Sequence, residues 1–195
     1  MEKIINYIDG ELREPVSGSY LENIEPATGE PYSLMAHSDR QDVELAVEAA
    51  KKAFPLWSKT SKDDRSEILY RISELILQNL DKLAAAESKD NGKPVSLATK
   101  VDIPRAAHNF RFFATAILHF ASESHQMEEA AINYTMKSPI GVAGCISPWN
   151  LPLYLFSWKI APALAAGNCV VAKPSEVTPM SAYLLSKLCI EAGLP

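Results

Sequence analysis

The chain has 195 residues, which is enough for one sizeable hydrophobic core, or one and a half. Its hydrophobic content of 47% and charged content of 22% are typical of a soluble globular protein. A formal net charge of -5 gives no basic surface, so nucleic acid is not an expected partner. The most apolar stretch, residues 151–167, is shorter than a membrane span and contains Lys159, so it predicts a core helix and no membrane association.

The cysteines and the N-terminus indicate a cytoplasmic protein. The first residues lack the apolar run and the small-residue cleavage site of a signal peptide. Cys145, Cys169 and Cys189 have no metal-ligand spacing and cannot all pair, so we expect small buried hydrophobes in a reducing compartment. The four histidines are scattered, and no metal site is predicted.

Turn signals punctuate the first part of the chain. Asn6 to Leu12 and Pro31 to Met35 are predicted as short strands, with turns at Asp9-Gly10 and Thr28-Gly29. No internal repeat or low-complexity tract is visible.

Two helical segments follow. The first is predicted to begin after Ser38, with Gln41 completing a capping box, and to be closed by Pro55. The second is predicted to start near Ser61 and to continue until Asn91-Gly92 stops it.

Three further signals set the limits of later elements. Asp102 is predicted to cap a helix that has Pro104 in its first turn. Ile132 to Lys137 alternates apolar and polar residues, which predicts an exposed or edge strand. Thr178-Pro179 is predicted to open the last helix as its cap and first residue.

The region from Ile140 onward has the βαβ pattern of a nucleotide-binding sheet, in which two short apolar strands flank one helix. Each strand is followed by polar groups. Asn150 follows the first strand, and Lys173, Ser175 and Glu176 follow the second. Ligands of open α/β sheets bind beyond the carboxyl ends of the strands, so we expect these residues beside a cofactor.

An ordered set of motifs resembles the aldehyde dehydrogenase superfamily over essentially the whole chain. The matching segments are Tyr7-Ile8-Asp9-Gly10, Glu25-Pro26-Ala27-Thr28-Gly29-Glu30, Ala53-Phe54-Pro55-Leu56-Trp57, the E-x-G-K-P element within residues 87–94, Pro148-Trp149-Asn150 and Lys173-Pro174-Ser175-Glu176.

The resemblance implies an α/β fold, namely the N-terminal part of the aldehyde dehydrogenase fold, with a Rossmann-like parallel sheet and flanking helices. It assigns residues 1–120 to the N-terminal part of the NAD-binding domain, residues 121–139 to an oligomerisation strand, and residues 140–195 to the start of the Rossmann-like NAD-binding core. Family members are much longer, so the chain is expected to be the amino-terminal two-fifths or so, without the catalytic domain. A homo-oligomer is expected of the full-length form.

The implied reaction is oxidation of an aldehyde by NAD through a cysteine thioester. Asn150 matches the family's oxyanion donor, whose amide can donate to a developing thiohemiacetal oxygen without itself titrating. The alternative is that Asn150 caps the helix beginning near Pro152. The nucleophile and the general base are expected beyond Pro195, so we expect no turnover by these residues alone.

Other residues match the family's cofactor contacts. Lys173 and Glu176 match the residues that hold the adenine-side ribose, and a carboxylate there favours NAD over NADP. The alternative is a polar loop in which Glu176 complements the dipole of the next helix. Trp149 is expected along the cofactor, or as part of the core. The remaining expected cofactor contacts are Ile146, Ser147, Pro148, Asn150 and Ser175.

A subgroup is indicated by Ser88-Lys89-Asp90, by Asp102-Ile103-Pro104-Arg105 and by residues 109–114, which look similar to 2-aminomuconic and 2-hydroxymuconic semialdehyde dehydrogenases. The helix of Arg105 lines the family's substrate tunnel, and an Arg there could hold a distal carboxylate of the substrate bidentately. The alternative is a surface Arg, or one paired with Asp102.

Two other classes of function stay open at this stage. One is a non-catalytic product, such as a truncated isoform, that pairs with full-length subunits through the predicted strand at Ile132 to Lys137. The other is a free-standing nucleotide-binding module.

Overall fold

In the computed structural model, which describes all 195 residues, the chain begins with five short strands. They are β1 (Glu2–Ile4), β2 (Asn6–Ile8), β3 (Glu11–Arg13), β4 (Tyr20–Glu25) and β5 (Glu30–Ala36). β5 lies between β1, which is parallel to it, and β4, which is antiparallel. β2 and β3 form a separate antiparallel hairpin.

The predicted turn at Asp9-Gly10 is confirmed, and it divides the predicted strand from Asn6 to Leu12 into the two strands of this hairpin. Asp9 and Gly10 have φ angles of 56° and 74°, which reverse the chain between β2 and β3. The predicted strand from Pro31 to Met35 lies within β5 and is confirmed.

Three helices follow, namely α1 (Arg40–Trp57), α2 (Lys62–Gln78) and α3 (Leu80–Asn91). The capping box of α1 is formed by Asp39 and Asp42, not by Ser38 and Gln41. The Asp42 carboxylate accepts a hydrogen bond from the Asp39 N–H at 3.1 Å. Pro55 lies inside the last turn of α1 rather than closing it.

The predicted start near Ser61 and the predicted stop at Asn91-Gly92 are confirmed, but the single predicted segment is divided at Asn79 into α2 and α3. The Ser61 hydroxyl accepts a hydrogen bond from the Asp64 N–H at 3.0 Å and caps α2. Gly92 ends α3 with a φ of 77°, a left-handed conformation that glycine adopts without a steric cost.

A continuous helical segment then includes α4 (Val95–Leu97), a π-helical turn (Ala98–Asp102) and α5 (Ile103–Leu118). The prediction that Asp102 caps a helix is wrong, because its backbone is itself helical and its side chain makes no capping bond. Its carboxylate is buried and pairs with Lys93 instead.

An exposed hairpin, β6 (Ser124–Met127) and β7 (Ala131–Tyr134), comes next. Every residue of both strands is exposed. The sequence predicted an exposed strand here, but that strand ends at Tyr134, before Lys137, and its partner β6 was not predicted.

The predicted βαβ unit is confirmed. It consists of β8 (Val142–Ile146), α6 (Pro152–Ala165) and β9 (Cys169–Lys173), and α7 (Met180–Ala192) follows. β8 and β9 are parallel, with Ile146 opposite Lys173 at their carboxyl ends. Thr178 does not cap α7, since its buried hydroxyl has no hydrogen-bond partner.

One hydrophobic cluster of 30 buried residues, from Ile4 to Ala192, joins the N-terminal helices to the βαβ unit. No helix of the chain is long and apolar enough to cross a membrane.

The C-terminal end of α6 is closed by side chains from α1 and α2. The Trp57 indole N–H donates to the Leu164 carbonyl at 3.1 Å, and Arg65 Nε donates to the Ala165 carbonyl at 3.0 Å. Arg65 is 7% exposed and pairs with no carboxylate, and its burial lowers the pKa of its guanidinium. A buried cation here is retained by backbone carbonyls alone.

We expect Arg65→Met to lower the free energy of unfolding by about 1–3 kcal/mol, because the Ala165 carbonyl would stay buried without its charged donor. The change is measured as a shift of the guanidinium chloride midpoint. Arg40→Met, at a side chain that is 91% exposed, is the matched control and should stay within about 0.5 kcal/mol of wild type. Equal shifts for both variants would contradict the assignment.

Candidate active site

The carboxyl ends of β8 and β9 bring two loops to one edge of the sheet. The Ser147 N–H donates to the Lys173 carbonyl at 3.0 Å, which extends the parallel pairing one residue past β8. The first loop, residues 147–151, leads into α6, and the second loop, residues 174–179, leads into α7. The expected cofactor residues therefore occupy adjacent loops.

Glu176 in the second loop forms an ion pair at 2.9 Å with Lys173, the last residue of β9, and both side chains are more than half exposed. The pKa of Glu176 is lowered first by a hydrogen bond from its own backbone N–H and then by Lys173. The carboxylate is thus ionised at neutral pH and open to solvent. Glu176 does not have the alternative role of complementing the dipole of α7, because α7 begins four residues later and has no acidic residue in its first turn.

A cavity of about 560 Å³ lies beside the second loop. Trp149 and Glu176 line it, so the two loops meet there, but Asn150 is not among its lining residues. Trp149 is 60% exposed and does not belong to the hydrophobic core of these residues. The other lining residues are Leu21, Glu22, Asn23, Ile24, Pro26, Met35, Asp90, Asn91, Val177 and Thr178.

The side chain of Asn150 is exposed and makes no hydrogen bond within the chain. The alternative that Asn150 caps α6 is wrong, because Leu151 occupies the N-cap position and α6 has no side-chain cap from its own loop. Both N–H groups of the amide are therefore available to a ligand. An unpartnered amide can stabilise a developing negative charge on an oxygen atom.

The backbone donor at the start of α6 is bound by a residue that the sequence did not assign. Glu87, which is fully buried in α3, accepts a hydrogen bond from the Leu153 N–H at 3.1 Å. Its other carboxylate oxygen accepts from Lys93 at 2.9 Å, and Lys93 also pairs with the buried Asp102. Burial raises the pKa of Glu87, although Lys93 acts in the opposite direction.

Asp90, one turn farther along α3, binds a backbone N–H at the start of α7, as Glu87 does at the start of α6. Its carboxylate accepts a hydrogen bond from the Met180 N–H at 2.8 Å and another from Asn23 at 2.8 Å. Tyr32 also donates to this carboxylate. Burial raises the pKa of Asp90. The E-x-G-K-P motif marked this segment in the sequence. Its hydrogen bonds to α6 and α7 could not be predicted locally, because the donors lie 66 and 90 positions away.

Arg105 forms no ion pair, so the alternative pairing with Asp102 is wrong. One of its guanidinium nitrogens donates to the Tyr154 hydroxyl at 3.1 Å, and Cζ lies 5.3 Å from the centre of that ring. Arg105 is exposed at the start of α5 and Tyr154 is in α6. The guanidinium keeps further donors for an anionic ligand.

The remaining predicted cofactor residues are divided between surface and interior. Ile146 is 68% exposed and its carbonyl accepts a hydrogen bond from Lys159, while Pro148 is exposed. Ser147 and Ser175 are buried, and the Ser147 hydroxyl has no partner.

None of the three cysteines is placed as a nucleophile. Cys145, Cys169 and Cys189 are all buried, as expected, and free. Burial raises the pKa of each thiol, in the case of Cys189 to about 12. A thiolate is the reactive form of cysteine, so this environment suppresses reactivity.

Comparisons with known proteins show the family of the chain. Residues 13–195 match the aldehyde dehydrogenase family. The chain is 52% identical over 191 residues to a 2-aminomuconic semialdehyde dehydrogenase from Bos taurus, covering 97% of this chain and 39% of that protein. It is 43% identical over 200 residues to a 2-hydroxymuconic semialdehyde dehydrogenase from a Pseudomonas species, covering 100% of this chain and 41% of that protein.

The solved structures show the same fold. The NAD+ complex of an aldehyde dehydrogenase from Bacillus cereus superposes with a TM-score of 0.96 at 35% identity, over 100% of this chain and 40% of that one. The expected fold, the N-terminal part of the aldehyde dehydrogenase fold, is confirmed. The chain spans about two-fifths of the length of the curated relatives it matches. With the family match over residues 13–195, the chain belongs to the aldehyde dehydrogenase family.

Proposed function

We propose that the enzyme containing these residues oxidises an aldehyde, a carboxylated semialdehyde of the muconic type, to the carboxylic acid with NAD. One observation carries the proposal. The unpartnered amide of Asn150 and the ionised Glu176 occupy adjacent loops at the carboxyl edge of one parallel sheet. The names of the two semialdehyde dehydrogenases and the NAD+ complex of the Bacillus cereus enzyme support it.

The residues present fit NAD. Glu176 and Lys173 are exposed beside a cavity of about 560 Å³, and a carboxylate accepts hydrogen bonds from ribose hydroxyls but repels a 2′-phosphate. Ile146, Ser147, Pro148, Trp149 and Ser175 would complete the contacts, the buried serines through their backbone. When bound, NAD accepts a hydride from the substrate.

This chain's own residues contribute charge stabilisation and orientation. Asn150 donates a hydrogen bond to the oxygen that becomes negative when a thiolate adds to the aldehyde. Arg105 holds the distal carboxylate of the substrate while Tyr154 holds Arg105. The thiolate is not Cys145, Cys169 or Cys189, since all three are buried, and these 195 residues alone are expected to be inactive.

The parts of the chain are proposed to divide this work. Residues 1–120 and 140–195 form the cofactor-binding portion, and the fully exposed hairpin within residues 121–139 pairs subunits of a homo-oligomer. The same exposure supports the second candidate, a non-catalytic product that pairs with full-length subunits.

In the uninterrupted enzyme, Asn150→Ala should lower kcat for an aldehyde about 100- to 1000-fold, because one oxyanion donor is removed. The KM for NAD should stay within about twofold, as the side chain lies outside the cavity beside Glu176. Steady-state rates of NADH formation over an aldehyde panel measure both. Asn150→Asp keeps the shape and should be equally impaired; an unchanged kcat in either variant would reject the role.

Glu176→Gln should raise the KM for NAD several-fold and reduce the preference for NAD over NADP, because the carboxylate that repels a 2′-phosphate is removed. The kcat at saturating NAD should change little. The two KM values are measured with one aldehyde, and Glu191→Gln, an exposed glutamate at the end of α7, is the control. A preference that does not move would show that Glu176 is not at the ribose.

Arg105→Ala should raise the KM for a carboxylated semialdehyde about 10- to 100-fold, since a hydrogen bond to a charged group contributes about 1.5–3 kcal/mol. A simple aliphatic aldehyde should keep its KM. Arg111→Ala, an exposed arginine on the same helix, should spare both substrates. Equal effects of Arg105→Ala on the two substrates would remove the substrate role.

A further inference from the structure

The start of α6 has a backbone donor that its own loop does not satisfy. Leu151 stands at the N-cap without a side-chain acceptor, and Pro152 has no N–H. Leu153, which is fully buried, is the next residue with an N–H, and its partner is Glu87 Oε2 at 3.1 Å. Because both residues are inaccessible to solvent, water cannot replace this bond.

The Glu87 carboxylate is itself held in place. Lys93, whose side chain is 10% exposed, donates to its other oxygen at 2.9 Å and also binds Asp102. Leu83 and Ala84, one turn earlier in α3, belong to the hydrophobic core. The acceptor that meets Leu153 therefore has little freedom to move.

Asn150 lies midway between two fixed points of the backbone. Ser147 is tied to the Lys173 carbonyl at 3.0 Å, and Leu153 is tied to Glu87 at 3.1 Å. The Asn150 side chain makes no bond of its own, so only the backbone sets its position. A proline at position 148 and another at 152 narrow the backbone angles between the two points.

We propose that Glu87 is a positioning residue for Asn150, because its hydrogen bond to the Leu153 N–H fixes the start of α6 and thereby the reach of the Asn150 amide. The inference rests on the proposed function, since the position matters only if Asn150 stabilises an oxyanion. A group displaced by about 1 Å can lose about 100-fold in rate.

Two conservative variants of the uninterrupted enzyme separate the bond to Leu153 from the charge. Glu87→Gln keeps an acceptor oxygen at the same length for the Leu153 N–H but loses the charge, and its NH2 group takes the place of the oxygen that faces Lys93. Glu87→Asp keeps the charge but is one methylene too short to reach the Leu153 N–H. We expect kcat of the Gln variant within about threefold of wild type and kcat of the Asp variant about 10- to 100-fold lower, each with the KM for NAD nearly unchanged.

The reverse order, or equal losses in both variants, overturns the proposal, since the charge or the fold would then be responsible. Arg65→Met is the stability control, because it loosens the opposite end of the same helix through the Ala165 carbonyl. Its kcat should stay within about twofold. A loss of kcat in Arg65→Met as large as in Glu87→Asp also overturns the proposal.

Hydrogen exchange gives a readout that does not depend on activity. In Glu87→Asp, peptides covering residues 148–156 should exchange faster than in wild type, while residues 158–166 keep their protection; in Glu87→Gln both should match wild type. If Glu87→Asp yields no folded enzyme, Glu87→Met removes the same bond and leaves Lys93 paired with Asp102. A wild-type enzyme that oxidises no aldehyde refutes the proposed function, whereas unchanged exchange in the Asp or Met variant refutes this inference.

Discussion

Helix α6 carries the chain from one loop of the candidate site back across the sheet, and neither of its ends is closed by its own side chains. Glu87 binds the first free N–H, and Trp57 and Arg65 bind the last carbonyls. Unsatisfied groups at buried helix ends are costly, so the two ends of α6 depend on side chains from α1, α2 and α3. The βαβ unit is therefore not independent of the helices that precede it.

Two buried carboxylates of α3 bind the helices that follow the two loops of the candidate site. Glu87 binds the start of α6 and Asp90 binds the start of α7, and the two residues lie three positions apart on one helix. Burying these charges is unfavourable, and the pKa of each is raised accordingly. The helices that follow the two loops are therefore both bound at their starts by α3.

Local sequence signals predicted most of the helices and strands. Two of the predictions that were wrong concern residues whose partners lie far away in the sequence. The Ser61 cap, the Gly92 stop and the βαβ unit depend on neighbours in sequence, and each was confirmed. Asp102 and Thr178 look like caps locally. The Asp102 carboxylate pairs with Lys93 instead. The Met180 N–H, which a Thr178 cap would have bound, donates to Asp90. No local pattern shows that a donor has already been taken by a residue far along the chain.

The same reasoning explains why the sequence left Asn150 ambiguous. An Asn ahead of a helix is a common cap, and only Glu87, 63 positions earlier in the sequence, shows that the first available donor of α6 is occupied. The Asn150 amide is then exposed and makes no hydrogen bond within the chain, and Trp149 and Ile146 nearby are also exposed. Residues that break the rules of burial and pairing without stabilising the fold are expected where a ligand completes the site.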